Sequence, residues 1–146
     1  MKDKAYWQKR LNTLFNEQKL CVIATQGANG PYTSLVGFYA SKDLRHLYFA
    51  TTKQTTKYRN LQNDEHVSIL IDDRHNLADD FSKSMAVTAI GTAAPTKDAE
   101  LTKTYLEKLP HLESFVKAPT CQLVHVKVEK YFIVTRFQSV VEMQMT

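Results

Sequence analysis

The sequence predicts a mainly β fold in which antiparallel strands close into a small barrel flanked by helices. Apolar or alternating runs indicate six or seven strands, and turns too short for a helical crossover join most consecutive strands. This order argues against a doubly wound parallel sheet, whose strands alternate with helices. Closure into a barrel also removes exposed strand edges. The length of 146 residues fits a single domain, residues 1–146, that can bury a core without disulfides or a metal.

The first half of the chain is expected to contain two helices among four strands. Asp3 can cap a first helix that runs to about Gln18, because apolar residues recur there at helical spacing. An Asn-Gly pair at residues 29–30 marks a tight turn between the first two strands. A second, shorter helix begins at Thr55 and ends near Asn63. The four strands are predicted at residues 20–26, 32–40, 47–51 and 66–71.

The second half begins with an acid-rich segment, residues 72–80, and returns to strands at the end of the chain. The acids lack the alternation, central glycine and terminal Glu of an EF-hand, so a loop or short helical turn is expected there instead of a metal site. Pro95 is expected to end a strand at 84–94, and Thr96 to cap the helix that follows. Pro110 opens a further short helix. The remaining strands are predicted at residues 123–128, 131–135 and 137–145.

Composition narrows the class of protein. The net charge of +4 comes from 19 basic and 15 acidic residues spread along the chain, a pattern that does not indicate nucleic-acid binding. Cys21 and Cys121 lie in apolar runs without metal or disulfide spacing and are expected to be reduced. The sequence shows no apolar leader and no membrane-spanning run, so we expect a soluble cytoplasmic protein. The five histidines lack metal-ligand spacing, and no metal site is predicted.

The clearest chemical signal lies at the junction between the third strand and the second helix. Four hydroxyls and three cations crowd this junction, namely Thr51, Thr52, Thr55, Thr56, Lys53, Lys57 and Arg59. A helix N-terminus presents unpaired N–H groups and the positive end of the helix dipole, so the combination suits a phosphate. The alternative is that Thr55 or Thr56 is simply an N-cap and the cations form a solvated face. Glycine-rich nucleotide loops and the serine-hydrolase elbow are not found as motifs, and no catalytic residue can be named.

Seven short segments carry a further signal through their order and spacing: Val22–Thr25, Asn29–Pro31, Ser34–Val36, Leu47–Thr52, Thr55–Lys57, Asn60–Leu61 and Val67–Leu70. Together they resemble the pyridoxamine 5′-phosphate oxidase-like family of FMN-binding split barrels. The resemblance covers residues 5–94 well and the C-terminal strands more loosely. It implies a six-stranded antiparallel split β-barrel with flanking helices and FMN as the cofactor. It also implies a homodimer whose two flavin sites lie at the subunit interface.

The resemblance implies a set of cofactor-binding residues, namely Ser34, Leu35, Val36, Thr51, Thr52, Thr55, Thr56, Lys57, Arg74 and Asn76. The strand at 34–36 is expected to lie along the flavin ring. Lys57 is expected to pair with the ribityl phosphate, near the hydroxyls at the strand end. Arg74 and Asn76 follow the fourth strand, where a neighbouring subunit's flavin can be reached.

Three positions depart from the pattern of the true oxidases. Ser34 and Thr56 each stand where those enzymes have an arginine, and Tyr39 stands where they have a lysine that touches the vitamin substrate. The departures argue against vitamin B6 oxidation, while the resemblance implies an FMN-dependent oxidoreductase acting on a small organic acceptor. A flavin-binding or haem-handling module without rapid turnover is the alternative. A deazaflavin-dependent reductase is a third possibility, but it would need a broader basic channel than the sequence shows.

Overall fold

The computed structural model describes residues 2–145, and these residues form seven strands and five α-helices. The strands are β1 (Leu20–Gly27), β2 (Gly30–Ala40), β3 (His46–Thr52), β4 (His66–Asp72), β5 (Met85–Thr96), β6 (Cys121–Thr135) and β7 (Ser139–Gln144). The helices are α1 (Lys4–Glu17), α2 (Thr56–Asn63), α3 (Asp80–Lys83), α4 (Ala99–Lys108) and α5 (Glu113–Lys117), with a 3-10 turn at Pro110–Leu112. None of these helices has the length and apolarity needed to cross a lipid bilayer.

Six of the strands close into an antiparallel barrel. The strand order is β3-β2-β1-β4-β5-β6, and β6 pairs again with β3 to complete the ring. The first half of β6, residues 121–127, pairs with β3, and its second half, residues 130–135, pairs with the extra strand β7. The predicted fold class, a six-stranded antiparallel split barrel with flanking helices, is therefore confirmed.

Strand β6 is longer than the sequence pattern predicts. Residues 123–128 and 131–135 were expected to form two strands, yet they belong to one strand of 15 residues. The register against β5 shifts between Ile90 and Gly91, so that Glu129 has no direct partner on β5. Such a bulge absorbs an extra residue without ending the strand. The polar Glu129-Lys130 pair therefore interrupts the apolar pattern but not the β-structure.

The boundary between β5 and α4 also differs from the prediction. The strand continues through Pro95 to Thr96, and the cap of α4 is Asp98, whose carboxylate accepts from the backbone N–H groups of Glu100 and Leu101 at 2.9 and 3.2 Å. Pro95 is tolerated because pairing between β5 and β4 ends at Thr92. Its missing N–H therefore costs no ladder hydrogen bond on that side.

The predicted cap of the first helix is confirmed. The Asp3 carboxylate accepts from the Tyr6 backbone N–H at 2.9 Å. The acid-rich segment holds the four-residue helix α3, in agreement with the expected loop or short turn. Both cysteines are free thiols, and burial raises the pKa of Cys21 to about 12, so this thiol stays protonated.

The buried apolar residues form two hydrophobic clusters. The larger one fills the barrel and includes residues such as Ile23, Phe38, Phe49, Ile69 and Ile133, and apolar residues of α1 pack against it. The smaller one lies outside the barrel, where α4 packs on β3 and β6 through Tyr48, Ala50, Tyr105, Leu109 and Leu123. This outer layer holds α4 and the segment after it beside β2, and it thereby forms one wall of the candidate site.

Candidate functional site

The junction of β3 and α2 forms a hydroxyl-capped helix start. The Thr55 hydroxyl accepts from the Tyr58 backbone N–H at 3.3 Å, lies 2.9 Å from the Thr51 hydroxyl and donates to the Thr52 carbonyl at 3.0 Å. Thr51 is 1% exposed. The hydroxyls of Thr51 and Thr55 thus hold the backbone turn between strand and helix. The N-cap interpretation of Thr55 is confirmed; the cap uses the Tyr58 N–H, and the backbone N–H groups of Thr56 and Lys57 remain for an anion.

The three cations of this junction differ in their surroundings. Arg59 donates to the Gln54 carbonyl at 3.2 Å and to the Thr56 hydroxyl at 3.1 Å, so it braces the outside of the helix. Lys53 is exposed to solvent. Lys57 is half-buried, and this burial lowers the pKa of its amine below 10.5. Among residues 51–60, Lys57 is the cation that lines a cavity.

That cavity, which we call the β2 cavity, has a volume of about 400 Å³ and lies between β2 and the segment from α4 to α5. Its lining residues are Lys19, Leu20, Leu35, Val36, Gly37, Ala50, Lys57, Tyr105, Leu109, His111, Leu112 and Phe115. Its volume and mostly apolar lining, with a few polar groups, are typical of cofactor and small-molecule sites.

Gly37 allows the wall of the β2 cavity to approach the strand. A Cβ atom at this position would lie 3.0 Å from Leu109 Cδ1 and 3.2 Å from Leu112 Cδ1. The Tyr105 hydroxyl donates to the Gly37 carbonyl at 2.8 Å, and burial raises the pKa of that hydroxyl, so it remains a donor. The wall and the strand are therefore in direct contact at the middle of the cavity.

Lys108 fastens α4 to the rest of the barrel. Its ammonium donates to the Phe15 carbonyl at 2.8 Å, in the last turn of α1, and lies 3.8 Å from the centre of the Phe38 ring. Burial lowers the pKa of Lys108 to about 8. The carbonyl end of α1 and the face of the aromatic ring both favour the charged form of the amine. This contact fixes the end of α4 from which the cavity wall continues.

The structure brings three of the ten predicted cofactor residues into the β2 cavity: Leu35, Val36 and Lys57. Thr51, Thr52, Thr55 and Thr56 lie beside Lys57 at the helix start, and Ser34 precedes Leu35 on the strand. These five do not line the cavity itself.

Arg74 and Asn76 lie on a different part of the surface. Arg74 is exposed, with its Nε atom 2.9 Å from Asp72 Oδ2, and Asn76 has a left-handed backbone with φ of 63°. Neither lines the β2 cavity. Their contact with the flavin of a neighbouring subunit stays a prediction.

Sequence reasoning did not find the remaining lining residues. Tyr105 and Leu109 were expected only to pack, because their fourfold spacing is the usual signal of an amphipathic helix. Lys19 and His111 carry no local motif, and they line one cavity only because α4 and the turn after it fold back onto β2. No signal in a single sequence reports such a long-range approach.

Comparison with known proteins places the chain in a family. The family model described as pyridoxamine 5′-phosphate oxidase matches residues 8–135. No curated protein matches the sequence. Solved structures similar to this one include a heme binding protein from Mycobacterium smegmatis, with a TM-score of 0.81 and 18% identity over 99% of this chain and 59% of that one. This chain therefore spans less than two thirds of the length of the mycobacterial protein.

Two further structures match over most of both chains. General Stress Protein 26 from Bacillus anthracis has a TM-score of 0.77 and 16% identity, covering 96% of this chain and 99% of that one. HutZ, the heme storage protein from Vibrio cholerae, has a TM-score of 0.72 and 16% identity, covering 87% and 92%. Identities this low support the shared fold. The family model covers most of the chain, and the protein belongs to the pyridoxamine 5′-phosphate oxidase-like family.

Proposed function

We propose that the protein binds FMN in the β2 cavity and acts as a flavin-dependent oxidoreductase on a small organic acceptor. The observation that carries the proposal is the position of Lys57. This cation lines an apolar cavity and belongs to the first turn of α2, where backbone N–H groups and the helix dipole also favour a phosphate. A flavin mononucleotide combines one phosphate with a flat, largely apolar ring.

The residues of the chain fit such a cofactor. In this proposal Lys57 and the start of α2 hold the phosphate, and the backbone of Leu35 and Val36 supports the ring. The missing side chain of Gly37 lets Leu109 and Leu112 pack directly on the strand beside them. When bound, FMN supplies reversible electron and hydride transfer, which the protein side chains cannot perform. The apolar wall that includes Leu109 restricts the access of water to the ring.

The acceptor is expected to be small, because the cavity holds only about 400 Å³ and most of that volume is assigned to the cofactor. No Asp or Glu is among the residues that line the cavity, so general acid-base catalysis by a carboxylate is not part of the proposal. The chain's contribution is to bind and orient the cofactor and the acceptor.

The first experiment compares the affinities of the purified protein for FMN and riboflavin. We expect the protein to bind FMN about ten- to a hundredfold more tightly than riboflavin, because a charge-assisted contact to phosphate is worth roughly 1.5–3 kcal/mol. Lys57→Ala should remove most of this preference. Lys53→Ala is the matched control, since Lys53 is exposed and does not line the cavity. Equal affinity of the wild type for FMN and riboflavin would contradict the proposal.

The second experiment tests turnover. If the FMN-loaded protein is an oxidoreductase, a reduced nicotinamide should bleach the flavin absorbance at a rate that supports catalysis, and an added acceptor should restore it. Slow bleaching with tight FMN binding would favour the alternative, a flavin-binding module without rapid turnover.

Haem is the second candidate ligand, and His111 is the observation that favours it. An imidazole is a common axial ligand of haem iron, His111 lines the apolar β2 cavity, and Lys19 and Lys57 are available for the carboxylates of a porphyrin. Two of the similar structures carry printed names that refer to heme binding or storage. A haem titration followed at the Soret band distinguishes the candidates. If haem is the native ligand, His111→Ala should abolish the spectrum of ligated haem. The same variant should bind FMN with the affinity of the wild type.

A further inference from the structure

The β2 cavity is lined by a second lysine, Lys19, which comes from a different part of the chain than Lys57. Lys57 belongs to α2, which contacts the far end of β1 through the Asn60 amide that donates to the Thr25 hydroxyl at 3.0 Å. Lys19 lies at the other end of β1, where its carbonyl accepts from the Phe38 backbone N–H at 3.1 Å. Leu20, the residue after Lys19, pairs with Gly37, whereas Lys57 belongs to the first turn of α2. Lys19 and Lys57 therefore reach the cavity from different parts of the chain, and we call the part of the lining formed by Lys19 and His111 the Lys19–His111 end.

The residues around Lys19 and His111 favour a particular kind of ligand. His111 lines the cavity together with Lys19, and no acid is among the lining residues. Within residues 2–145, the side chains of Lys19 and His111 take part in no ion pair. Their neighbours in the cavity include Leu20, Leu112 and Phe115, and Leu20 and Phe115 are 56% and 40% exposed. An apolar surface beside an uncompensated cation favours a flat molecule that carries an anionic group.

We propose that the Lys19–His111 end of the β2 cavity binds the carboxylate of a planar, apolar substrate. The inference rests on the proposed function, because it assigns Lys57 to the cofactor phosphate. One lysine and one histidine suit a singly charged carboxylate. The exposed apolar side chains of Leu20 and Phe115 then cover the ring of the substrate, and Lys19 is a specificity-determining residue that selects anionic over neutral acceptors.

The test uses the FMN-saturated full-length protein and two probes of the same shape, benzoate and benzamide. Binding is followed by the change in the flavin absorption spectrum, which needs no turnover. Benzoate should bind about fivefold or more tightly than benzamide, since a partly exposed charge pair is weaker than a buried one. Lys19→Gln and His111→Gln should each lower the benzoate affinity and leave the benzamide affinity within twofold. Lys103→Gln, an exposed position on α4 that does not line the cavity, should change neither affinity.

Several outcomes are decisive and separate the two proposals. Tight FMN binding with equal affinities for benzoate and benzamide would overturn this inference alone. Tight FMN binding with a benzoate preference that survives Lys19→Gln and His111→Gln would do the same, because the anion would then bind elsewhere. Failure to bind FMN at all would overturn the proposed function and with it the assignment of a substrate. A benzoate preference that disappears in both variants while FMN remains bound supports the inference.

Discussion

The absence of a side chain at Gly91 allows β5 and β6 to approach closely at the bulge of the barrel. A Cβ atom on Gly91 would lie 2.2 Å from the Lys127 carbonyl oxygen and 3.0 Å from the Lys127 carbonyl carbon. Both are backbone atoms of the neighbouring strand and cannot rotate away. Glycine is therefore required here by contact with β6 and not by its own backbone angles.

We expect Gly91→Ala to lower the free energy of unfolding by about 3 kcal/mol or more, because the two strands must separate at the bulge. Gly37→Ala is the comparison, since its Cβ would meet the flexible side-chain ends of Leu109 and Leu112. It should cost only about 1 kcal/mol. Urea unfolding of both variants measures the difference, and equal losses would contradict the argument.

Single residues were predicted well where the signal is local. The hydroxyl cap at Thr55 and the cation at Lys57 both follow from a helix start, and both lie where the sequence indicates. Lys19 and His111 lie more than ninety positions apart in the chain. Folding alone brings them to one cavity, so no spacing rule could have joined them. The acid-poor lining is likewise a property of the folded surface.

At the scale of elements, a histidine pair joins the two strands that close the barrel. The His46 Nδ1 and His125 Nε2 atoms lie 2.7 Å apart between β3 and β6, and the His125 ring stacks on Tyr48 with ring centres 5.2 Å apart. One proton can be shared between the two facing nitrogens. Charging both rings would place two positive charges against each other, with Lys127 nearby.

Burial, the neighbouring His46 and then Lys127 lower the pKa of His125 below 6.5. As the pH falls through 6.5, the unfolded chain therefore binds a proton that the folded protein does not, and stability falls. His125→Gln should lose less free energy of unfolding than the wild type between pH 7.5 and 5.5. His66, whose pKa is raised by Asp64, acts with the opposite sign, but it is present in both proteins and cancels. An identical pH dependence of the two proteins would show that His125 does not contribute to the loss of stability at low pH.

Element types were predictable because the apolar patterns and turn residues are strong, whereas two boundaries were not. A proline normally ends a strand, but β4 has already stopped pairing at Thr92, so Pro95 costs no ladder hydrogen bond on that side while β5 continues beside β6. The break at Glu129 is absorbed by a bulge whose partner, Gly91, lies nearly forty residues earlier. Both exceptions depend on the neighbouring strand, which local sequence does not specify.

At the scale of the whole molecule, the rim of the β2 cavity is unusually apolar for an exposed surface. Leu35 and Leu20 are 66% and 56% exposed, and Phe115 adds an exposed aromatic ring. Exposed apolar patches of this kind commonly mark interaction sites. We propose that a second copy of the chain covers the Leu35 side of this rim in a twofold symmetric dimer, the commonest closed assembly, and leaves Leu20 and Phe115 free to contact the substrate.

Light scattering at micromolar concentration with FMN bound should therefore give the mass of a dimer. Leu35→Glu should shift the protein towards monomer, because a carboxylate in an apolar interface pays a desolvation penalty. Tyr6→Glu, on α1 and outside the cavity, is the control and should leave the mass unchanged. A monomeric wild type with FMN bound would rule the dimer out.

A single sequence does not specify which exposed patch a second copy covers, whereas the fold itself followed from strand count and turn length.

The last prediction concerns the reaction that gives the family its name. A true pyridoxamine 5′-phosphate oxidase must hold a doubly charged phosphate against the flavin, which takes a clamp of several cations beyond the one that binds the cofactor. By the family resemblance, Ser34 and Tyr39 stand where those oxidases have basic residues. Tyr39 stacks on Tyr48 with ring centres 6.0 Å apart. Between positions 131 and 145 the chain offers one cation, Arg136, which lies in the turn between β6 and β7 with φ of 49°.

Besides Lys57, the β2 cavity is lined by one further lysine and one histidine, Lys19 and His111, and these do not replace such a clamp. We therefore expect negligible hydrogen peroxide production from pyridoxamine 5′-phosphate at saturating FMN, with no pyridoxal 5′-phosphate detected by its absorbance. The control is the same sample reduced with dithionite and reoxidised in air, which shows that the bound flavin is competent. Rapid peroxide release with an equal amount of the pyridoxal product would contradict the prediction. Arg136→Gln would then tell whether the turn between β6 and β7 supplies the missing charge, because only in that case would the variant lose the activity.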